Sequence, residues 1–157
     1  MIEKEELFSV VPHRGRMLLL SRVKGCNLDE RIIEAEYDIT EECLFYDPEA
    51  AGVPSWIGFE LIAQTISAFS GIRDRETEKA PRIGFILSVS SMRTGISFFK
   101  TGSTAVIKAM EIGRMDSVYT FKGEIFLEGN KVLEGKLTVL DVDNEQAQIL
   151  KRGADLD

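Results

Sequence analysis

Between Ala50 and Ile72 the chain runs for 23 residues with a single charged side chain, Glu60. Charged residues make up 29% of the whole protein, so roughly six or seven would be expected in a stretch of that length. A segment so depleted is either a membrane span or a helix buried on nearly every side. Pro54, Gly58, Gln64, Thr65, several serines and the central glutamate argue against lipid. The expectation is a buried helix that starts at Pro54-Ser55, with Ser55 as N-cap. Gly71 is expected to stop it.

The rest of the chain reads mainly as strands. Glu3 to Val10 can form a helical turn or two, halted by Pro12. Met17 to Val23 is a short apolar run suited to a buried strand. Ile33, Ala35, Tyr37 and Ile39 alternate with Glu34, Glu36 and Asp38, a half-exposed strand. Asn27-Leu28-Asp29 turns the chain between these two. Four extended segments follow the helix: Arg82 to Ser91, Thr104 to Ile112, Val118 to Leu127 and Lys131 to Val142. Glu128-Gly129-Asn130 joins the last two as a tight hairpin, with Gly-Asn expected to supply the positive φ. About six strands and one buried helix imply an α+β domain, a sheet wrapped round a helix. The 157 residues suit one domain, 1–157, with its core at about 7–143 and a polar, frayed tail at 144–157.

Lysine plus arginine is 19 and aspartate plus glutamate is 26, a net charge of −7. A chain this acidic is poorly suited to gripping a nucleic-acid backbone, so no nucleic acid is expected as partner. The charged N-terminus, Met1 to Glu6, lacks the apolar core of a signal peptide. Together with only two cysteines, Cys26 and Cys43, it points to a reducing, cytoplasmic setting with no membrane contact. There is one histidine, His13. Two-histidine metal sites and zinc-protease motifs are thereby excluded, the sequence contains no P-loop motif, and no metal or cofactor is expected.

Glu60, Gln64 and Ser67 fall at i, i+4 and i+7, on one face of the predicted helix. A carboxylate in apolar surroundings has its pKa raised by lost hydration, which suits acid–base work. The plainer alternative is a glutamate paired with an arginine that merely fixes the helix. The helix start, Ser55-Trp56-Ile57, offers free N–H groups that can polarise a carbonyl oxygen.

The motif Val11-Pro12-His13-Arg14-Gly15-Arg16, running into Met17-Leu18-Leu19-Leu20-Ser21-Arg22-Val23, resembles the opening motif of the 3-hydroxyacyl-(acyl carrier protein) dehydratases. Val53-Pro54-Ser55-Trp56-Ile57-Gly58-Phe59-Glu60-Leu61-Ile62-Ala63-Gln64 resembles their central-helix motif, which ends Glu-x-x-Ala-Gln. Within that family the chain is most similar to the dehydratase-like subgroup of aryl polyene and related fatty-acid-type pathways. That subgroup shares the Val-Pro-x-Trp-x-Gly helix start and a Gly-Phe-Leu-Leu strand, here Gly84-Phe85-Ile86-Leu87. The likeness spans about Leu7 to Asp143.

The resemblance implies a hotdog fold whose sheets pair edge to edge, with active sites at the dimer interface. It implies loss of water from a 3-hydroxyacyl chain carried on an acyl carrier protein or coenzyme A. In the family a histidine removes the C2 proton and the helix glutamate, from the other subunit, handles the departing hydroxyl. By resemblance Glu60 is that glutamate, Gln64 the helix glutamine, and Ser55, Trp56 and Ile57 the start that binds the thioester oxygen. The family histidine lies fourteen residues before the glutamate in a His-Phe-Pro-Gly loop. Here that position is Tyr46, in Phe45-Tyr46-Asp47-Pro48. Tyr46 is expected at the substrate, but with a reference pKa near 10 it is a poor base. Asp47 reads as a turn residue. His13 is the remaining candidate base, with a packing role as its alternative.

Three functions follow: a dehydratase using Glu60, an acyl thioesterase built on the same pocket, or a non-catalytic subunit stabilising a catalytic hotdog partner. A homodimer, a higher hotdog oligomer or a hetero-oligomer fits each. An acidic carrier would need a local basic patch. Arg73, Arg75, Lys79 and Arg82, followed by Arg93 and Lys100, are either that patch or a solvated face. Phe98-Phe99 could line an acyl tunnel or a dimer seam. Cys26 and Cys43 read as small buried residues without the neighbouring bases of a nucleophile.

Overall fold

The apolar segment becomes the axis of the molecule. In the computed structural model, which describes residues 1–79 and 82–154, it forms a 3-10 turn, Ser55–Ile57, that runs into helix α2, Gly58–Glu76. Ahead of it come β1 (Ile2–Glu3), α1 (Lys4–Leu7), a 3-10 turn (Gly15–Met17), β2 (Arg22–Asn27), β3 (Ile32–Asp38) and β4 (Gly52–Pro54). After it come β5 (Ile83–Thr94), β6 (Phe98–Lys100), β7 (Thr104–Met115), β8 (Val118–Leu127), β9 (Asn130–Val142) and α3 (Asn144–Ala154). One antiparallel sheet of seven strands runs β1-β2-β3-β7-β8-β9-β5, and β4 pairs with β6 apart from it. Six of the strands correspond to expected ones; the two-residue β1 and the short pair β4 and β6 are the additions.

The sheet wraps α2 because its inward positions are apolar. Ile33, Ala35 and Tyr37 on β3, Ala105, Ile107 and Ala109 on β7, and Phe121 and Ile125 on β8 are buried. They face Leu61, Ile62, Ile66, Ala68, Phe69 and Ile72 of α2. Each large side chain so removed from water contributes roughly 1.5–3 kcal/mol. Helix and sheet meet most closely where Gly123 lets Ile62 reach the β8 backbone; a β-carbon there would overlap the Ile62 side chain.

Four local expectations are corrected. Gly71 does not stop the helix, which runs on to Glu76. It is a contact point, since a β-carbon there would overlap the carbonyl of Val10. Ser55 makes no side-chain cap; the residue at that position is Pro54. In the β8–β9 hairpin Leu127 pairs with Asn130, so the positive φ falls on Glu128 and Gly129. The tail at 144–154 is helical rather than frayed. Gln146 N–H donates to Asp143 Oδ1 at 2.8 Å, and Asp143 N–H returns a bond to Gln146 Oε1 at 3.4 Å, a capping box. Residues 155–157 of the expected tail lie outside the described residues.

Two further segments differ. The predicted first helix shrinks to Lys4–Leu7. The predicted strand from Met17 to Val23 joins the ladder only at Arg22, although Leu18, Leu19 and Leu20 are buried. Its backbone is satisfied by a side chain instead, and that side chain belongs to the candidate site.

Candidate active site

The side chain is Gln64, fully buried one turn beyond Glu60 on α2. Its Oε1 accepts the Leu19 N–H at 2.9 Å. Its Nε2 donates to the Met17 carbonyl at 2.8 Å and to Glu60 Oε1 at 3.0 Å. One amide thus replaces the sheet partners of a buried extended segment and joins that segment to the helix. The same segment carries His13. Its Nε2 stands 3.4 Å from Glu60 Oε1, and both side chains are 26% exposed. His13 Nδ1 is shielded and has no hydrogen-bond partner. Residues 47 positions apart in sequence therefore meet at one carboxylate.

Burial by itself pushes the Glu60 carboxyl up. The hydrogen bonds from His13 and Gln64, with the charge His13 can carry, outweigh it and hold the group below the ordinary carboxylate range. The expected raised pKa is corrected accordingly: α2 is apolar around Glu60, but two donors aim at it. The alternative of an arginine partner is not realised, since His13 is the basic side chain within ion-pair distance of Glu60 among the described residues.

The helix start lies next to this carboxylate. Ser55 N–H is already spent on Ser97 O at 2.9 Å, so it is withdrawn from the expected set facing a thioester. Trp56 and Ile57 N–H open the helix, where geometry leaves donors without an intrahelical acceptor. The Ile57 side chain is in the core. The Trp56 ring is 58% exposed and meets Phe45 edge-on, with centroids 5.4 Å apart. Met17 and Phe98 also present apolar surface, whereas Phe99 is wholly buried.

Tyr46 lies in the turn before β4, its N–H on the Cys43 carbonyl. Asp47 serves that turn: its Oδ1 accepts the N–H groups of Glu49 and Ala50. Arg73 and Arg82 form no free patch. Both pair with buried Asp141, and Arg73 also with Asp74. Burial pushes the Cys26 thiol up to about 11, which suits an inert packing residue. What the sequence did not show was the backbone of Met17 and Leu19 as partners of Gln64. A lone amide in an apolar helix face was the available signal.

The ApeP-like family, described as ApeP dehydratase, matches residues 5–151. The chain belongs to that family. It is 26% identical over 144 residues to the 3-hydroxyacyl-[acyl-carrier-protein] dehydratase FabZ of Erythrobacter litoralis (strain HTCC2594), covering 88% of this chain and 92% of the relative. In structure it resembles the dehydratase heterocomplex ApeI:P from Xenorhabdus doucetiae, with a TM-score of 0.83, 22% identity, and 92% and 95% of the two chains covered. A hypothetical thioesterase with coenzyme A from Streptococcus pneumoniae TIGR4 shares the fold at a TM-score of 0.59 and 10% identity, over 87% and 91% of the two chains. ApeP-like membership and these folds agree on a hotdog domain: one long antiparallel sheet around one central helix.

Proposed function

We propose that this ApeP-like protein removes water from a 3-hydroxyacyl thioester on a carrier protein or coenzyme A, giving an enoyl thioester, in fatty-acid or polyene-type biosynthesis. The observation that carries the reading is Glu60: a part-exposed carboxylate at the start of the central helix, within 3.4 Å of the chain's single histidine. Elimination needs a group that takes the C2 proton and one that protonates the leaving hydroxyl, and in this reading Glu60 is the acid–base residue for these steps. In this reading the N–H groups of Trp56 and Ile57, at the positive end of α2, receive the thioester oxygen as charge develops on it.

The reading includes a second hotdog subunit. Strand β5 pairs on one side with β9 and exposes Ile86, Leu87 and Val89. A long apolar edge strand of this kind is usually covered by another chain. The fold neighbour described as a heterocomplex favours a related but different hotdog chain over an identical copy. Trp56, Met17 and Phe98 would then meet that partner or the acyl chain.

The deciding experiment incubates the protein, alone and with its co-purified hotdog partner, with a 3-hydroxyacyl thioester. New enoyl absorbance with the thioester intact, lost in Glu60→Gln, is the expected result. Release of free thiol would instead identify a thioesterase. No reaction in either preparation would leave the stabilising-subunit role.

A further inference from the structure

A cavity opens between the 3-10 turn at Gly15–Met17, strand β3 and the loop that follows it; Glu60, Trp56 and Tyr46 do not line it. It holds about 310 Å³, room for on the order of ten water-sized groups at about 30 Å³ each. Its floor is buried: Leu18, Leu19 and Tyr37 are at most 5% exposed. Leu44 adds an apolar wall, and Lys4, Arg16 and Glu42 stand exposed at the mouth. The Tyr37 hydroxyl, in this floor, is shielded and has no hydrogen-bond partner, whereas buried polar groups ordinarily have one. The Cys43 thiol beside it is committed elsewhere. It donates to the Asp38 carbonyl at 3.4 Å and accepts the Thr40 N–H at 3.3 Å. Burial also pushes the tyrosine pKa up, so the hydroxyl keeps its proton and stays a donor.

The other polar groups of the cavity are donors in excess. Ser21 Oγ accepts the Asp38 N–H at 2.9 Å, and no described residue takes its own proton. Asp38 is matched by Arg22 at 2.5 Å and by the Thr104 hydroxyl at 2.8 Å. Arg16 reaches only the Glu42 carbonyl, at 3.5 Å, and neither Lys4 nor Arg16 stands within ion-pair distance of an acid among the described residues. Two free cations against Glu42 leave the mouth with a net positive charge. We propose that this cavity binds a short monocarboxylate whose far end carries a hydroxyl or carbonyl oxygen. The carboxylate sits at the mouth with Lys4 and Arg16, where it stays partly hydrated and avoids the cost of full burial. Its apolar body covers Leu18, Leu19 and Leu44, and its far oxygen accepts from Tyr37. The site is separate from the dehydratase reading and does not rest on it. Its walls nonetheless reach the candidate active site: Leu19 gives its N–H to Gln64, and the Cys43 carbonyl accepts the N–H of Tyr46.

The probes are ω-hydroxyhexanoate, hexanoate, which lacks the far oxygen, and hexanediol, which lacks the carboxylate. In isothermal titration of the full chain, ω-hydroxyhexanoate should bind about tenfold more tightly than hexanoate, the gain of one net hydrogen bond. Hexanediol should bind more weakly than either acid. Tyr37→Phe removes only the unpartnered hydroxyl, so without ligand it should melt no lower than the wild type, yet it should bind the two acids equally. Lys4→Gln combined with Arg16→Gln should weaken both acids by about tenfold. Glu60→Gln should bind both as the wild type does. Failure of both acids to bind would leave a cavity for water only and overturn the proposal. Equal binding of the two acids by the wild type would also overturn it, as would a Tyr37→Phe protein that melts well below the wild type, because the hydroxyl would then have a partner within the protein. Loss of binding in Glu60→Gln would move the acid to the candidate active site and overturn it as well. A wild type that binds the hydroxy acid as described but dehydrates no thioester would overturn the dehydratase reading and leave this one standing.

Discussion

The two ends of α2 solve the same electrostatic problem in opposite ways. At the C-terminal end Asp74 and Asp141, each 4% exposed at the side chain, share guanidinium groups. Arg73 lies 2.7 Å from Asp141 and 3.2 Å from Asp74, and Arg82 lies 3.6 Å from Asp141. Tyr119 is flanked by Arg73 and Arg114. At the N-terminal end Glu60 has an amide at 3.0 Å and an imidazole at 3.4 Å, and it stays 26% exposed. A guanidinium is permanently charged and saturates its carboxylate. An amide and a histidine direct a carboxylate without neutralising it for good. The saturated end locks the helix to β9, and the open end is left able to react.

That contrast can be broken most decisively at the open end. Glu60→Gln should cut turnover by about 10³-fold while the urea midpoint changes little, measured by enoyl absorbance and circular dichroism on one preparation. The matching change at the locked end, Asp141→Asn, should do the reverse. It leaves Arg73 and Arg82 partly unmatched and should cost about 3 kcal/mol, the low end for a broken buried pair because Arg82 reaches solvent. Urea unfolding reads that loss, and comparable turnover per folded molecule would keep the two ends distinct. A tenfold fall in turnover per folded Asp141→Asn molecule would mean that the ends are coupled.

Smaller effects sharpen the same picture. Gly71→Ala should destabilise by about 2 kcal/mol, because the new methyl meets the rigid Val10 backbone rather than a side chain that can swing away. A thermal melt checks it, and an unchanged midpoint would mean that the helix packs less closely on Val10. The smallest effect concerns pH. The folded-state pKa of Glu60 lies below its ordinary value of 4.5. Its ionised form therefore stabilises the fold fully above that value, and the contribution fades as pH falls through the lower folded pKa. Urea unfolding from neutral to acidic pH should show a shallower acid limb in Glu60→Gln than in the wild type. Equal limbs would mean that folding leaves the Glu60 pKa unchanged.

Much of the fold was legible because burial writes a periodic pattern. The charge-poor run around Glu60 located α2, and alternation located β3 and β8. The misread places share one cause. Gly71 was read locally as a terminator, when its lack of a side chain serves contact with Val10, 61 positions earlier. Met17 to Val23 was read as a strand because it is apolar, but Met17 and Leu19 find their backbone partner in the Gln64 amide. The tail's capping box, Asp143 with Gln146, was local and was overlooked under the polar composition around it.

Residue order and hydrophobic pattern settled by themselves that a long sheet wraps one buried helix, and that Glu60 is the lone charge on that helix until Arg73. These follow from short-range periodicity and the cost of burying charge, which the sequence carries in full. Only the tertiary structure decided that His13 and Gln64 converge on Glu60, turning an expected rise in its pKa into a fall, and that Arg73 and Arg82 close on Asp141. Such contacts join residues far apart in the chain, and their energy depends on distance and direction, which exist only after folding.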